Sequence, residues 1–125
     1  MEIPATHTKS PGLNMVKVWY NTGGEALLDP EFDCHAIGYG TQKTHYKGRN
    51  AMLSGFFGEL EERYSEWQVH VDRMIDGGND VTVMGRYQVK VKNGPAATLP
   101  FVHVWTAGKD ALTSVTACTD LRPAA

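Results

Sequence analysis

Five histidines and five tyrosines are the side chains in this sequence most able to share or move a proton. His103 comes first. It stands between Phe101 and Trp105 in an alternating run, on an otherwise apolar face. A neutral imidazole carries one N–H donor and one bare nitrogen, so His103 could hold a carbonyl oxygen or shuttle a proton. The plainer alternative is a core histidine bonded to a backbone carbonyl or a buried water. His35 and Tyr39 fall on one face with Asp33 and Ile37 if residues 32–39 form a regular strand. His35 could then act as a base and Tyr39 as a proton carrier; a histidine at a wet rim is the alternative. His70 and Asp72 share a strand face, as a metal pair would. No third ligand converges on them, so no metal is expected, and His45 and His7 suggest no site. No cofactor motif is legible.

The elements that must position these residues can be read from period and punctuation. Residues 1–10 read as a loose tail and residues 11–125 as one domain. Ser10-Pro11 is a helix start, Ser capping free N–H groups and Pro tolerated at the first position. Leu13, Val16 and Trp19–Tyr20 recur at helical spacing, and Gly23-Gly24 ends the run. Asp29-Pro30 then interrupts. A strand over 32–39, a loop or hairpin over 41–46 and a long helix over 49–64 follow. Met52, Leu53, Phe56, Phe57 and Leu60 form that helix's apolar stripe. Four strands come last, over 67–75, 81–92, 97–107 and 111–121, with glycine-rich turns between them. Helices segregated from an antiparallel meander mean α+β. A tight turn at 108–110 would set His103 opposite residue 114 or 115. Asp120 would then lie some ~17 Å further on, at roughly 3.3 Å per residue, too far for a His–Asp dyad.

Composition removes several classes of function. The chain has 125 residues, a net charge of -2 and no concentrated basic face, which argues against nucleic acid and anionic membranes as partners. No apolar run approaches the ~20 residues of a membrane span, and the N-terminal segment lacks a secretory apolar core. A cytoplasmic protein with Cys34 and Cys118 as free thiols is the expectation.

The segment Pro100-Phe101-Val102-His103-Val104-Trp105-Thr106, a tight turn, and a last strand ending Thr119-Asp120-Leu121 resemble the SnoaL-like branch of the NTF2-like superfamily. Tyr46-Lys47-Gly48-Arg49 followed by Phe56-Phe57, and Val81 to Arg86, resemble further motifs of that branch. The resemblance spans about residues 12–121. It implies a cone: a curved, mainly antiparallel sheet wrapped around a long helix and shorter N-terminal helices. It also implies an interior holding a small apolar ligand, and a homodimer formed through the outer sheet face. Trp19, Tyr20, Ile37, Phe56 and Phe57 would line that interior, with Phe101, Trp105, Val115, Ala117 and Thr119. His103 falls where the related ketosteroid isomerases place an acidic donor to an enolate oxygen. Their carboxylate base would fall near Ile37, where no carboxylate stands, and their tyrosine near Val16 or Lys17. The epoxide-hydrolase relatives' acid–arginine–acid set matches only loosely at Arg86, with Ala117 where an aspartate is needed.

Three functions follow as expectations. One is an isomerase or polyketide-cyclase-like enzyme acting on a small apolar carbonyl or polycyclic compound, with His103, His35 and Tyr39 as its acid–base set. Another is a non-catalytic module that binds a metabolite or a partner chain. The third, a dehydratase, needs His103 to converge with His35, His45 or His70.

Overall fold

The computed structural model describes residues 10–121. The expected tail, apart from Ser10, and His7 lie outside the described residues. Helix α1 spans Pro11–Thr22. The Ser10 hydroxyl accepts from Leu13 N at 3.0 Å, Pro11 occupies the first turn, and Gly23 returns its N–H to Trp19 O at 2.7 Å. Ser10 also bonds Asp76 Oδ1 at 2.7 Å, which ties the helix start to a distant hairpin. A short 3₁₀ turn, Glu25–Leu27, leads into β1, Leu28–Ile37. The strand therefore starts before Pro30, whose missing N–H is tolerated there. Strand β2 is only His45–Lys47, inside the expected loop.

The expected long helix has two pitches. Ala51–Phe56 is π-helical, and α2, Phe57–Arg63, continues it directly. Strands β3 (Tyr64–Asp76), β4 (Asp80–Val91), β5 (Ala96–Ala107) and β6 (Leu112–Thr119) complete the chain. One six-stranded sheet results, in the order β2-β1-β6-β5-β4-β3. All its pairs are antiparallel except β1 with β6. The π segment touches β1 and β2 at one edge, and α2 touches β3 at the other. A cavity lined at once by β3, β4, β5, β6 and both helices requires the sheet to curl around them. The fold is thus α+β, as the order of elements implies, with the curved sheet that the resemblance implies.

The core lies inside that curl. Phe32, Tyr39, Trp105, Val81 and Val83 are essentially inaccessible to water. Each such side chain contributes on the order of 1.5–3 kcal/mol by leaving water. One register differs from the expectation. His103 pairs with Ala117, not with residue 114 or 115, because the β5–β6 turn spans residues 108–111 and an irregularity between Thr106 and Ala107 adds one residue more.

Candidate functional site

Strand β1 delivers its residues to two different places. Phe32, Cys34 and Ala36 face inward, while His35 and Ile37 are exposed on the outer face. Regular alternation would send Tyr39 outward with them. Gly38 prevents that. Its φ of 84° breaks the strand, and Tyr39 turns inward to 1% exposure. A Cβ at Gly38 would stand 1.7 Å from Thr119 O, so no other residue fits. Arg63 holds the re-aimed segment, donating from Nη2 to Tyr39 O at 2.9 Å and from Nη1 to Gly40 O at 3.3 Å.

The expected site is accordingly split. His35 does not enter the cavity; it stacks on His45 across the β1–β2 pair, with centroids 4.4 Å apart and rings 2° from parallel. His45 Nε2 meets Asp33 Oδ1 at 2.7 Å, and this bond holds the Asp33 carboxyl below its ordinary range. His70 bonds Gln88 at 2.9 Å, and Asp72 takes both bonds of an Arg86 fork at 3.0 and 3.1 Å. The dehydratase convergence and the His70–Asp72 metal pair are thereby removed. Among the described residues no three His, Cys, Asp or Glu side chains group to hold a metal. Cys34 and Cys118 are both free; they have opposite parity about the sheet. Burial pushes the Cys34 thiol up to about 12.

Inside the curl is a cavity of about 520 Å³, within the ordinary range of ligand pockets. Trp19 and Tyr20 of α1 line it, with Met52 and Phe56 of the π segment, Phe57 of α2, and Trp67 and Val69 of β3. Phe56 and the adjacent Phe57 both reach this space. Trp105, Val115 and Ala117 line it too. Three expected lining residues do not. Ile37 points to solvent. Thr119 bonds Pro100 O at 2.7 Å at the strand end. Phe101 faces inward but is covered, stacked between Tyr87 at 4.5 Å and His103 at 4.1 Å. Gly85, paired with Phe101, leaves room for that stack, since a Cβ there would stand 2.7 Å from the Phe101 ring. Glu61 and Ser65, both exposed, stand on the open side of the cavity.

His103 is the hub of the polar floor. Its Nδ1 is hydrogen-bonded to Tyr20 Oη, and its Nε2 to Tyr87 Oη at 2.5 Å. Tyr87 Oη meets Tyr39 Oη at 2.6 Å, and Trp105 Nε1 donates to Tyr20 Oη at 2.9 Å. Burial lowers the His103 pKa to about 3, so the ring is neutral at physiological pH. Burial also raises the Tyr20, Tyr39 and Tyr87 phenols, which stay protonated. The floor is therefore a chain of neutral groups. Tyr87 was not legible as a member of the site. Its alternation with Val81, Val83 and Val89 marks only an inward position, and tyrosine is common in strands.

The SnoaL-like domain family model matches residues 22–114. The chain belongs to the SnoaL-like family. No functionally curated protein matches it. Among solved structures, this SnoaL-like domain is similar to an NTF2-like protein of unknown function from Burkholderia pseudomallei. Their TM-score is 0.79 at 24% identity, over 89% of this chain and 92% of that one. It is similar to a putative SnoaL-like polyketide cyclase from Jannaschia sp., with TM-score 0.76 and 17% identity over 90% of each chain. It is also similar to TerC co-crystallized with polyporic acid, with TM-score 0.77 and 20% identity, over 89% and 92% of the two chains. At such identities the likeness is one of fold. The SnoaL-like domain described here has no helix, among the described residues, long and apolar enough to cross a membrane.

Proposed function

We propose that the cavity binds a small, largely apolar molecule through a carbonyl oxygen, and that a phenolic O–H of the floor polarises that carbonyl. One observation carries this reading. Tyr20, His103, Tyr87 and Tyr39 bring four hydrogens to the three short bonds that join them, and Tyr39 Oη also stands 3.5 Å from His103 Nε2. One phenolic hydrogen is left over, on Tyr20, Tyr39 or Tyr87, and all three line the cavity. A buried donor without an acceptor is costly, about 1–3 kcal/mol, and a ligand carbonyl relieves that cost. The aromatic walls supply the apolar contact. Such a site favours developing negative charge on the carbonyl oxygen, which is the electrostatic half of enolisation in an isomerase or cyclase reaction. His103 acts here through the phenols, not by touching the ligand oxygen with its own N–H. The similarity to a putative polyketide cyclase and to a protein co-crystallized with polyporic acid supports a carbonyl-bearing ligand.

The test is spectroscopic. An aromatic ketone labelled at its carbonyl should bind, and its infrared carbonyl stretch should move to lower frequency. Tyr20→Phe with Tyr39→Phe should return the stretch toward its free value. A bound ketone with an unshifted stretch would sink the polarisation reading.

A second reading is a holding site without turnover. It is favoured by the protonation states: neither His103 nor the phenols can readily supply a base. Among the described residues Glu61 is the one carboxylate along the cavity, at its open side. Glu61→Gln should abolish carbon-bound hydrogen exchange in a bound ketone if Glu61 is the base; no exchange in the parent protein favours holding alone. The expected pairing of two copies through the outer sheet face rests on exposed Ile37, Val102 and Ile75. A dimer mass in solution scattering would support it.

A further inference from the structure

The floor chain has a direction, and the direction constrains what the cavity can bind. In one sense Tyr20 donates to Nδ1, Nε2–H donates to Tyr87, Tyr87 donates to Tyr39, and Tyr39 keeps the spare hydrogen. In the other sense Tyr39 donates to Tyr87, Tyr87 donates to Nε2, Nδ1–H donates to Tyr20, and Tyr20 keeps the spare. The imidazole changes tautomer between the two, and no charge appears at any point. The Trp105 N–H stays on Tyr20 in both, because a phenol oxygen accepts two bonds. In neither sense do both ends donate. When Tyr39 offers an O–H to the cavity, Tyr20 offers a lone pair, and the reverse. A third arrangement leaves the spare on Tyr87 and gives both ends acceptor character.

We propose that the Tyr20–His103–Tyr87–Tyr39 chain is a reversible proton wire whose two ends present opposite polarity to the cavity, and that the ligand is a neutral molecule carrying one hydrogen-bond acceptor and one donor, a hydroxy-ketone in class. This rests on the reading of the cavity as a carbonyl site and adds the second polar group and its sign. A ligand with two carbonyls leaves one of them against a lone pair. Anions find no positive group on the floor, since His103 stays neutral. A ligand with two donors is met only by the third arrangement, which leaves the Tyr87 hydrogen without an acceptor in the chain.

Three neutral probes of one shape test the inference by calorimetry: α-tetralone, its 4-hydroxy derivative and the corresponding 1,4-dione. The hydroxy-ketone should bind about tenfold more tightly than the dione, the effect of one unmet polar contact. Tyr87→Phe removes the short link between Tyr39 and His103, leaving only the 3.5 Å approach of Tyr39 Oη to Nε2, and keeps both end phenols. In that variant the two ends are only weakly coupled, and the preference, read as the ratio of hydroxy-ketone to dione affinity within the variant, should fall to about twofold or less. If His103 and Tyr87 only support the fold, Tyr87→Phe lowers the melting temperature and leaves the preference intact, which overturns the wire. Equal affinity for hydroxy-ketone and dione in the parent protein also overturns it, while tetralone binding with a shifted carbonyl stretch keeps the carbonyl reading. No binding of any of the three removes the carbonyl reading itself.

Discussion

Histidine occupies two opposite settings in this molecule, and the sheet separates them. On the outer face His35 stacks on His45, and His45 bonds Asp33, all in contact with water. On the inner face His103 has a phenol on each ring nitrogen and is almost sealed. The outer group offers charge and little shape. The inner one offers shape and no charge. Residue type alone does not make an acid–base site; the environment sets which form the ring takes. The inner floor is a chain of neutral donors and acceptors, and it can meet a ligand only by hydrogen bonding to neutral groups.

The largest expected effect separates the two settings by stability. His103→Ala opens a void beneath Phe101 and leaves Tyr20 and Tyr87 without their partner. A loss of about 3 kcal/mol is expected, from buried polar groups left unpaired plus the cavity. His35→Ala on the wet face should change stability by no more than about 0.5 kcal/mol. Urea denaturation of both variants checks the pair. Equal losses would mean that the floor chain is not a structural unit, and a thermally unaffected His103→Ala would contradict its burial.

The next effect is in pH. His103 has a pKa of about 3 in the folded chain against about 6.5 unfolded. A depressed histidine pKa means that the unfolded chain binds the extra proton first. Stability contributed by the neutral ring is therefore full above about pH 6.5 and falls as pH drops from there toward 3. The slope is at most about 1.4 kcal/mol per pH unit. Denaturation midpoints between pH 7.5 and 4.5 measure it, and His103→Gln should flatten the curve over that window. An unchanged slope in His103→Gln would assign the acid sensitivity to other groups.

Much of this arrangement was legible in the residues. Helix α1, its cap and its stop follow from Ser10, Pro11 and Gly23, and the meander follows from its turns and alternation. His103, Tyr20 and Tyr39 were each singled out from the sequence, and all three meet at the floor. Their convergence was not legible, because it depends on pairings distant in the chain. The parallel β1–β6 contact sets Cys34 beside Val115, across a separation no local pattern encodes. Strand β2 is three residues long, too short to show a period. The placement of His35 with Tyr39 failed for a local reason. A glycine within a strand pattern signals a break, and Gly38 was read as an ordinary alternating position.

Gly38 therefore carries the sharpest remaining test, because it is the point where β1 stops feeding the outer face and starts feeding the inner one. Gly38→Ala must adopt a positive φ and move Thr119 O, which a Cβ would approach to 1.7 Å. A loss of about 2 kcal/mol is expected from the backbone alone. The effect should also reach the floor, since a shifted Tyr39 loses Tyr87 and the Arg63 clasp on its carbonyl. Ketone affinity should fall while the His35–His45 face, held by the β1–β2 pairing before Gly38, stays as it is. Imidazole proton resonances read both sides at once: His103 should move and His35 and His45 should not. Movement of all three would mean that the two faces are coupled through β1, and the division between an outer and an inner histidine setting would then be one of exposure only.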